Sequence, residues 1–302
     1  MSDFSTLDLS PLRSADSTPI LGTGLAQINL DLVAAHVDRA LDGGRYQEPT
    51  APLEYLTTHH CLVPAPDGTI CATLAGLLCF GVAPQQVLPR AVVDIGHYVE
   101  AEPISPDVIH LEKDVGGTIF AQIERVETYL WANTHHGMTV SHTAIRRVEV
   151  HEYPRVVIRE LTVNLLAHRD YTNFLSAARV QLFRNRIEWV SPGGLPPGIT
   201  VENILVAQMS RNPAILTILY EAGYVEAFGQ GLDTVVAVLR REGMTPAHFA
   251  DYGTFFSVTV AGRPSELFAG EGGTALLNER QRRIVIYRTP KGGGLSLPFR
   301  YQ

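Results

Sequence analysis

Cysteine is scarce in this chain of 302 residues: Cys61, Cys71 and Cys79 are the three present, and none belongs to a C-x-x-C pair. An odd number of thiols in apolar surroundings excludes a disulfide framework and a cysteine-based zinc motif, and reads as reduced core. Lysine is scarcer still, with Lys113 and Lys291 against 22 arginines. Positive charge as a whole is short, since 24 basic side chains face 31 acidic ones and the formal net charge is −7. That excess lies entirely in residues 1–100, where 4 basic residues meet 11 acidic ones. A chain without a global basic footprint lacks the electrostatic term that drives sequence-independent DNA binding.

Long hydrophobic runs are missing too. The longest uncharged stretch, Thr69 to Leu88, is interrupted by Gly76, Gly81 and Pro84 and contains Gln85 and Gln86, unlike a membrane-spanning helix. The first residues carry acids and no apolar h-region, so no secretory signal is read and the cytoplasm is the expected location. No G-x-x-x-x-G-K-[S/T] string occurs, which excludes a P-loop strand-unwinding motor. His168-Arg169-Asp170 is not a kinase catalytic loop, because Leu175 stands where that loop needs asparagine and D-F-G is absent.

What is present is a globular composition, 45% apolar, long enough for about two domains. Residues 1–27 are rich in Ser, Thr, Pro and Gly without periodicity and read as a tail or linker. Spacing predicts a helix over 29–41, mixed helix and strand over 55–70, and buried elements at 73–80 and 91–99. A helix over 117–134 and a strand over 140–150 follow. Val157, Leu161 and Leu165 form the clearest helical stripe, over Pro154 to Asp170. Arg179 to Val190 alternates about Arg184-Asn185 as a hairpin. Helices over 201–206, 213–222 and 232–242 and a strand over 255–260 complete the pattern.

The chemistry lies on the Pro154 to Asp170 helix. Residues four apart share a face, so Glu160, Asn164 and His168 point together beside the apolar stripe. A carboxylate can orient or deprotonate water, and a carboxamide oxygen is a hard ligand suited to Mg²⁺. Taken alone, this is equally the pattern of a solvated helix face. Two glycine loops follow: Pro192-Gly193-Gly194-Leu195-Pro196-Pro197-Gly198 closes the hairpin, and Gly229-Gln230-Gly231-Leu232 opens a helix. Glycines at a helix start let backbone N–H groups approach an anion, although each loop by itself also suits a structural turn. His59-His60-Cys61 and His135-His136 lack partners at zinc spacing, and Arg280, Arg282 and Arg283 read as a solvated face.

The order of these pieces and their wording resemble the N, G1 and G2 boxes of the GHKL ATPase superfamily, which includes gyrase, MutL and histidine kinases. More closely, Tyr153-Pro154-Arg155, Arg159-Glu160-Leu161, Asn164, His168-Arg169-Asp170-Tyr171, Pro192-Gly193-Gly194-Leu195-Pro196, Ser210-Arg211-Asn212-Pro213 and Gly229-Gln230-Gly231-Leu232 are similar to divergent bacterial ATP-binding proteins labelled RecG-related. Such proteins are associated with a Schlafen-type AlbA domain before this region and a winged helix after it.

The resemblance implies a Bergerat-type α/β sandwich, a mixed sheet with helices on one face. It would occupy 116–265, beside a smaller N-terminal α+β region over 28–115. It implies ATP and Mg²⁺ as cofactors, Glu160 as the water-activating carboxylate and Asn164 as the metal ligand, with His168 on the same face. It sets Gly193 and Gly194 beside the base, Gly229 and Gly231 near the phosphates, and Arg211 and Asn212 in a lid-like segment. Val190 aligns with the superfamily's adenine-binding aspartate, with neutral Ser191 next to it.

Leu276 to Tyr287 has the spacing of a first winged-helix segment, so 266–302 reads as a remnant and the chain as shortened at both ends. Nucleic-acid binding is correspondingly weakened, no membrane partner is expected, and a homo-oligomer stays open. The function expected is a Mg²⁺-dependent ATP-binding module of a regulatory or defence-type protein, with slow or absent hydrolysis. The alternatives are a binding or assembly module that keeps the fold without the nucleotide, and a DNA-binding transcription regulator.

Overall fold

A computed structural model describes residues 14–47, 51–102, 108–140, 147–207, 209–225 and 231–268. In chain order its elements are α1 (Leu30–Asp42), α2 (Pro52–Thr58), β1 (Leu62–Pro64), β2 (Ile70–Ala72), α3 (Leu74–Phe80), α4 (Pro84–Val87), β3 (Val93–Tyr98), β4 (Val108–Val115) and α5 (Ile119–Asn133). There follow β5 (His136–Val140), β6 (Arg147–His151), α6 (Arg155–Ala167), β7 (Ala178–Leu182), β8 (Arg186–Pro192), α7 (Pro213–Glu221), α8 (Gly231–Arg241), β9 (His248–Asp251) and β10 (Phe255–Ala261). The chain divides into two compact units, one of Met1–Trp131 with Pro154–Gly262 and one of Ala132–Tyr153 with Arg263–Gln302.

The larger unit is built on a six-stranded mixed sheet in the order β4-β3-β7-β8-β10-β9. Only β3 and β7 run parallel among its paired strands, the arrangement that requires a long crossover. Register places Ile95, Val180, Trp189 and Val258 in one row across four strands, and all are buried. Helices cover that face: Trp189 Nε1 donates to Thr162 Oγ1 of α6 at 3.2 Å, and Tyr129 of α5 bonds His97 of β3 at 3.1 Å. The opposite row, with Arg179, Gln181, Glu188 and Thr259, is more polar and more exposed. The expected α/β sandwich is therefore observed, and its sheet draws strands from both sides of residue 116.

The expected helices at 29–41, 117–134, 154–170 and 213–222 form within a few residues of their predicted bounds, and 232–242 becomes α8. Pro154 sits at the N-cap of α6 in extended backbone. Residues 201–206, expected to be helical, form turns instead. Asn203 explains them, since its Oδ1 accepts from Thr200 N and its Nδ2 donates to Gly198 O, local bonds that compete with a helical ladder. The 140–150 strand is a hairpin of β5 and β6 in the smaller unit, while β4 and β9 had no counterpart in the pattern. The expected helix over 276–287 lies outside the described residues.

From Ser14 onward the expected tail is packed. Asp16 is fully buried, and its Oδ2 accepts from Ile215 N at 3.0 Å, serving the first turn of α7 from 199 residues away. A buried polar cluster ties α7 to α1 and α2. Glu221 Oε2 accepts from Tyr55 OH at 2.5 Å and lies 3.3 Å from His36 Nε2, and Glu221 Oε1 lies 2.7 Å from His59 Nε2. Because Tyr55 gives its proton to Glu221, His36 Nε2 is the donor in its 2.8 Å bond to the Tyr55 hydroxyl. Burial alone would raise the Glu221 carboxyl, but hydrogen bonds from His36, His59 and Tyr55 outweigh it and hold the pKa at about 2.

Candidate functional site

Helix α6 forms because Val157, Leu161 and Leu165 bury one stripe against the sheet, which fixes the direction of the residues beside it. Glu160, Asn164 and His168 all face a cavity of about 330 Å³ enclosed by α6, the ends of β8 and β10, the 193–199 loop and the start of α8. The aromatic and aliphatic walls include Trp189, Leu216 and Val258.

At one end of the cavity, α8 begins against α6. A Cβ built on Gly231 would lie 2.8 Å from Asn164 Nδ2 and 3.1 Å from Glu160 Oε2. Only glycine permits this approach with both side chains in place. Glu160 is 8% exposed, and Asn164 Nδ2 donates to Glu160 O at 2.8 Å. That bond commits the amide nitrogen to the helix and leaves Asn164 Oδ1 as the acceptor it can offer. Gly229 lies outside the described residues.

At the other end stands the 193–194 loop. Gly193 N donates to Thr254 O at 2.9 Å and Gly194 N to Gly253 O at 3.1 Å, so the β9–β10 turn occupies both N–H groups. These two glycines do not cradle a phosphate through those donors; they shape a wall. A Cβ on Gly194 would fall 2.5 Å from Gly253 O and 2.8 Å from Asp251 Oδ1. Gly194→Ala is therefore expected to destabilise the fold by about 1–3 kcal/mol through overpacking against backbone. Thermal denaturation checks this, and an unchanged midpoint would contradict the contact.

Arg211 is spent on the same loop. Its Nη1 lies 3.1 Å from Asp170 Oδ2 and its Nη2 donates to Gly194 O. Asn212 is buried, and its Nδ2 donates to Ala167 O at 2.9 Å and Arg169 O at 2.8 Å. Both residues, expected in a lid-like segment, hold the chain in place between α6 and α7. Arg169 is a second clamp, donating to Val92 O at 2.9 Å, to Ser176 O at 2.7 Å and to Arg90 O. Desolvation, reinforced by the Arg211 charge, pushes His168 down to about 4, so its imidazole is neutral near pH 7.

The register of β8 separates Val190 from Ser191. Trp189 and Ser191 face the cavity together with Val258 and Phe256 of β10, whereas Val190 pairs with Arg179 and Ser257 on the opposite row. A strand alternates its side chains, so Ser191 is the residue presented inward. Ser191 Oγ donates to Leu165 O at 3.0 Å, which leaves the oxygen able to act only as an acceptor. Sequence reading also missed Ser210 as a lining residue and Asp170 as the anchor of Arg211.

The described lining contains no lysine or arginine, and Glu160 is its carboxylate. Among the described residues no group of three or more His, Cys, Asp and Glu side chains could hold a metal ion, and no helix is long and apolar enough to cross a membrane.

Residues 176–260 match the model of the family described as "Putative ATP-dependent DNA helicase recG C-terminal", an ATPase-like domain. That stretch carries β7, β8, α7, α8, β9 and most of β10, and begins after α6. No curated protein matches the chain. The crystal structure of the DIP2311 protein from Corynebacterium diphtheriae is similar, with a TM-score of 0.65 and 21% identity over 90% of this chain and 54% of that one. The likeness is one of fold, and this chain spans about half the length of that protein.

Proposed function

We propose that the chain is a Mg²⁺-dependent ATP-binding module of the GHKL type, with Glu160 as general base and Asn164 as metal ligand. The observation that carries this reading is the convergence of Glu160, Asn164 and the glycine start of α8 at one end of an apolar cavity. The likeness to an ATPase-like domain over 176–260 supports it.

Charge explains why a divalent cation belongs to the proposal. A triphosphate entering this cavity meets a carboxylate and no cationic side chain in the described lining, with Arg211 already paired to Asp170 and His168 neutral. Asn164 offers a hard oxygen ligand beside the Glu160 carboxylate, the donor type Mg²⁺ takes alongside phosphate oxygens. Bound there, Mg²⁺ would neutralise phosphate charge. Asn164 holds its oxygen outward through the Nδ2 bond to Glu160 O. The first N–H groups of α8 face an anion with the favourable end of the helix dipole. Glu160 orients a water or takes its proton, and slow or absent turnover fits a site whose carboxylate is largely shielded from solvent.

A role in regulation or defence extends the same reading. Strand unwinding is no part of it, since the chain holds no P-loop. The rival is a nucleotide-free assembly module, and it is favoured by the lack of a carboxylate at Val190 and Ser191, where the superfamily carries its base-binding aspartate. ATP or ADP with Mg²⁺ at a hundredfold excess over Kd should stabilise the folded chain by about 2.7 kcal/mol. The shift should disappear with EDTA and in Asn164→Ala. Melting points indifferent to nucleotide and metal would favour the rival.

A further inference from the structure

The smaller unit holds a pair of histidines that the nucleotide reading leaves unused. His135-His136 has no partner at zinc spacing along the chain, but the β5–β6 hairpin supplies one fifteen residues on. His136 and His151 stand directly opposite each other in the antiparallel register, so both rings leave the same face of the ribbon. Their Nδ1 atoms are 3.2 Å apart, and the rings meet edge to face with centroids 5.1 Å apart. The His151 side chain is 25% exposed, which keeps the pair within reach of solvent.

This spacing suits two states of the pair. Without an ion, one Nδ1 carries a proton and the other accepts it, which requires opposite tautomers. With an ion between them, both Nδ1 atoms are bare. Two imidazole nitrogens at about 2.0–2.1 Å from a tetrahedral metal stand about 3.3 Å apart, so the ion enters with little change of separation. Glu149 favours that state at His151. Its Oε2 lies 3.6 Å from His151 Nε2, and a carboxylate on that side draws the proton to Nε2 and frees Nδ1. The next register pair on the same face is Met138 and Glu149, which adds no positive charge.

The backbone beneath the pair is fixed independently of the two rings. His135 N donates to Glu152 Oε2 at 2.9 Å, Glu152 N donates to His135 O at 2.8 Å, and Arg263 Nε donates to His151 O at 3.1 Å. We propose that His136 and His151 form a binding site for a late transition-metal ion, Zn²⁺ or Cu²⁺, ligated through both Nδ1 atoms with water completing the sphere. Imidazole selects these ions over Mg²⁺, so the site is chemically distinct from the one proposed on α6 and does not rest on it. The ion acts as a staple. Among the described residues β5 and β6 form a two-stranded sheet, and a ribbon of two strands is marginal by itself. A ligand that binds only the paired strands stabilises them.

The test is calorimetric titration of Zn²⁺, Cu²⁺ and Mg²⁺, each separately, into the full untagged chain after EDTA treatment and dialysis, and into His136→Ala and His151→Ala. One equivalent of Zn²⁺ or Cu²⁺ should bind, Cu²⁺ the more tightly, with no heat from Mg²⁺. Each substitution should weaken binding about tenfold or more, because the second imidazole is then no longer held beside the first. Equal affinity of wild type and either variant overturns the proposal, as does a wild-type chain that binds neither ion. Imidazole ¹⁵N spectra of the wild-type chain with and without Zn²⁺ keep the proposal testable should a variant fail to fold. Coordination leaves both rings protonated at Nε2 alone, and spectra in which neither ring changes overturn the assignment.

Discussion

Glu160→Ala is expected to leave Mg²⁺–ATP binding largely in place while removing turnover, a loss of about 10²–10⁴-fold in rate if the carboxylate acts as general base. The expectation follows from position. Glu160 is shielded on α6, beside Asn164 and the start of α8, where a water next to a terminal phosphate would lie in the proposed complex. Removing the carboxylate also removes the negative charge that a triphosphate meets on entry, so affinity need not fall. Phosphate release measured at saturating Mg²⁺–ATP reads the effect directly. Hydrolysis that survives in Glu160→Ala would remove the catalytic assignment, whereas loss of both binding and folding in the variant would show that the side chain supports the helix packing instead.

The largest expected effect on folding comes from Glu221→Ala. That substitution strips a common acceptor from Tyr55, His36 and His59 inside the packed N-terminal helices, and His36 Nδ1 is already buried without a partner. Breaking a buried hydrogen-bonded charge cluster from one side costs about 3–5 kcal/mol. For a chain of this size the melting point should drop by on the order of 10 °C.

The same carboxylate makes stability depend on acid. Its folded pKa of about 2 lies below the ordinary 4.5, so the unfolded chain binds the proton first as pH falls. Stability from this group is therefore complete above pH 4.5 and is lost between 4.5 and 2, amounting to about 3 kcal/mol. His168, depressed to about 4, adds a loss that begins higher, between 6.5 and 4, because the unfolded imidazole protonates first. Circular dichroism melts of wild type and Glu221→Ala at pH 7 and pH 3 check the sign for Glu221. The gap between the two proteins should narrow at the lower pH, and a gap that widens would contradict the assignment.

The legible parts of this fold are those with local causes. Helix α6 was readable because a stripe at four-residue spacing needs no knowledge of the partner surface, and the β7–β8 hairpin because alternation changes sign about a short turn. The turns at 201–206 were not, because the Asn203 side chain outcompetes a helical ladder that the apolar spacing would also allow. Strand β4 carries exposed Val108 and Leu111 at the sheet edge, so no clean alternation announced it.

The shared face of Glu160, Asn164 and His168 was settled by helical geometry alone, before any partner was known. The residues that complete the site depend on contacts across the chain. Strand register chose Ser191 over Val190, since neighbours in a strand face opposite sides and an alignment of loops carries no information about the row they occupy. Packing against Asp170 and the 194 carbonyl turned Arg211 from an available cation into a clamp. The Glu221 cluster joins residues as much as 185 positions apart. Periodicity describes one element at a time, whereas charge pairing, burial and register are properties of two surfaces meeting.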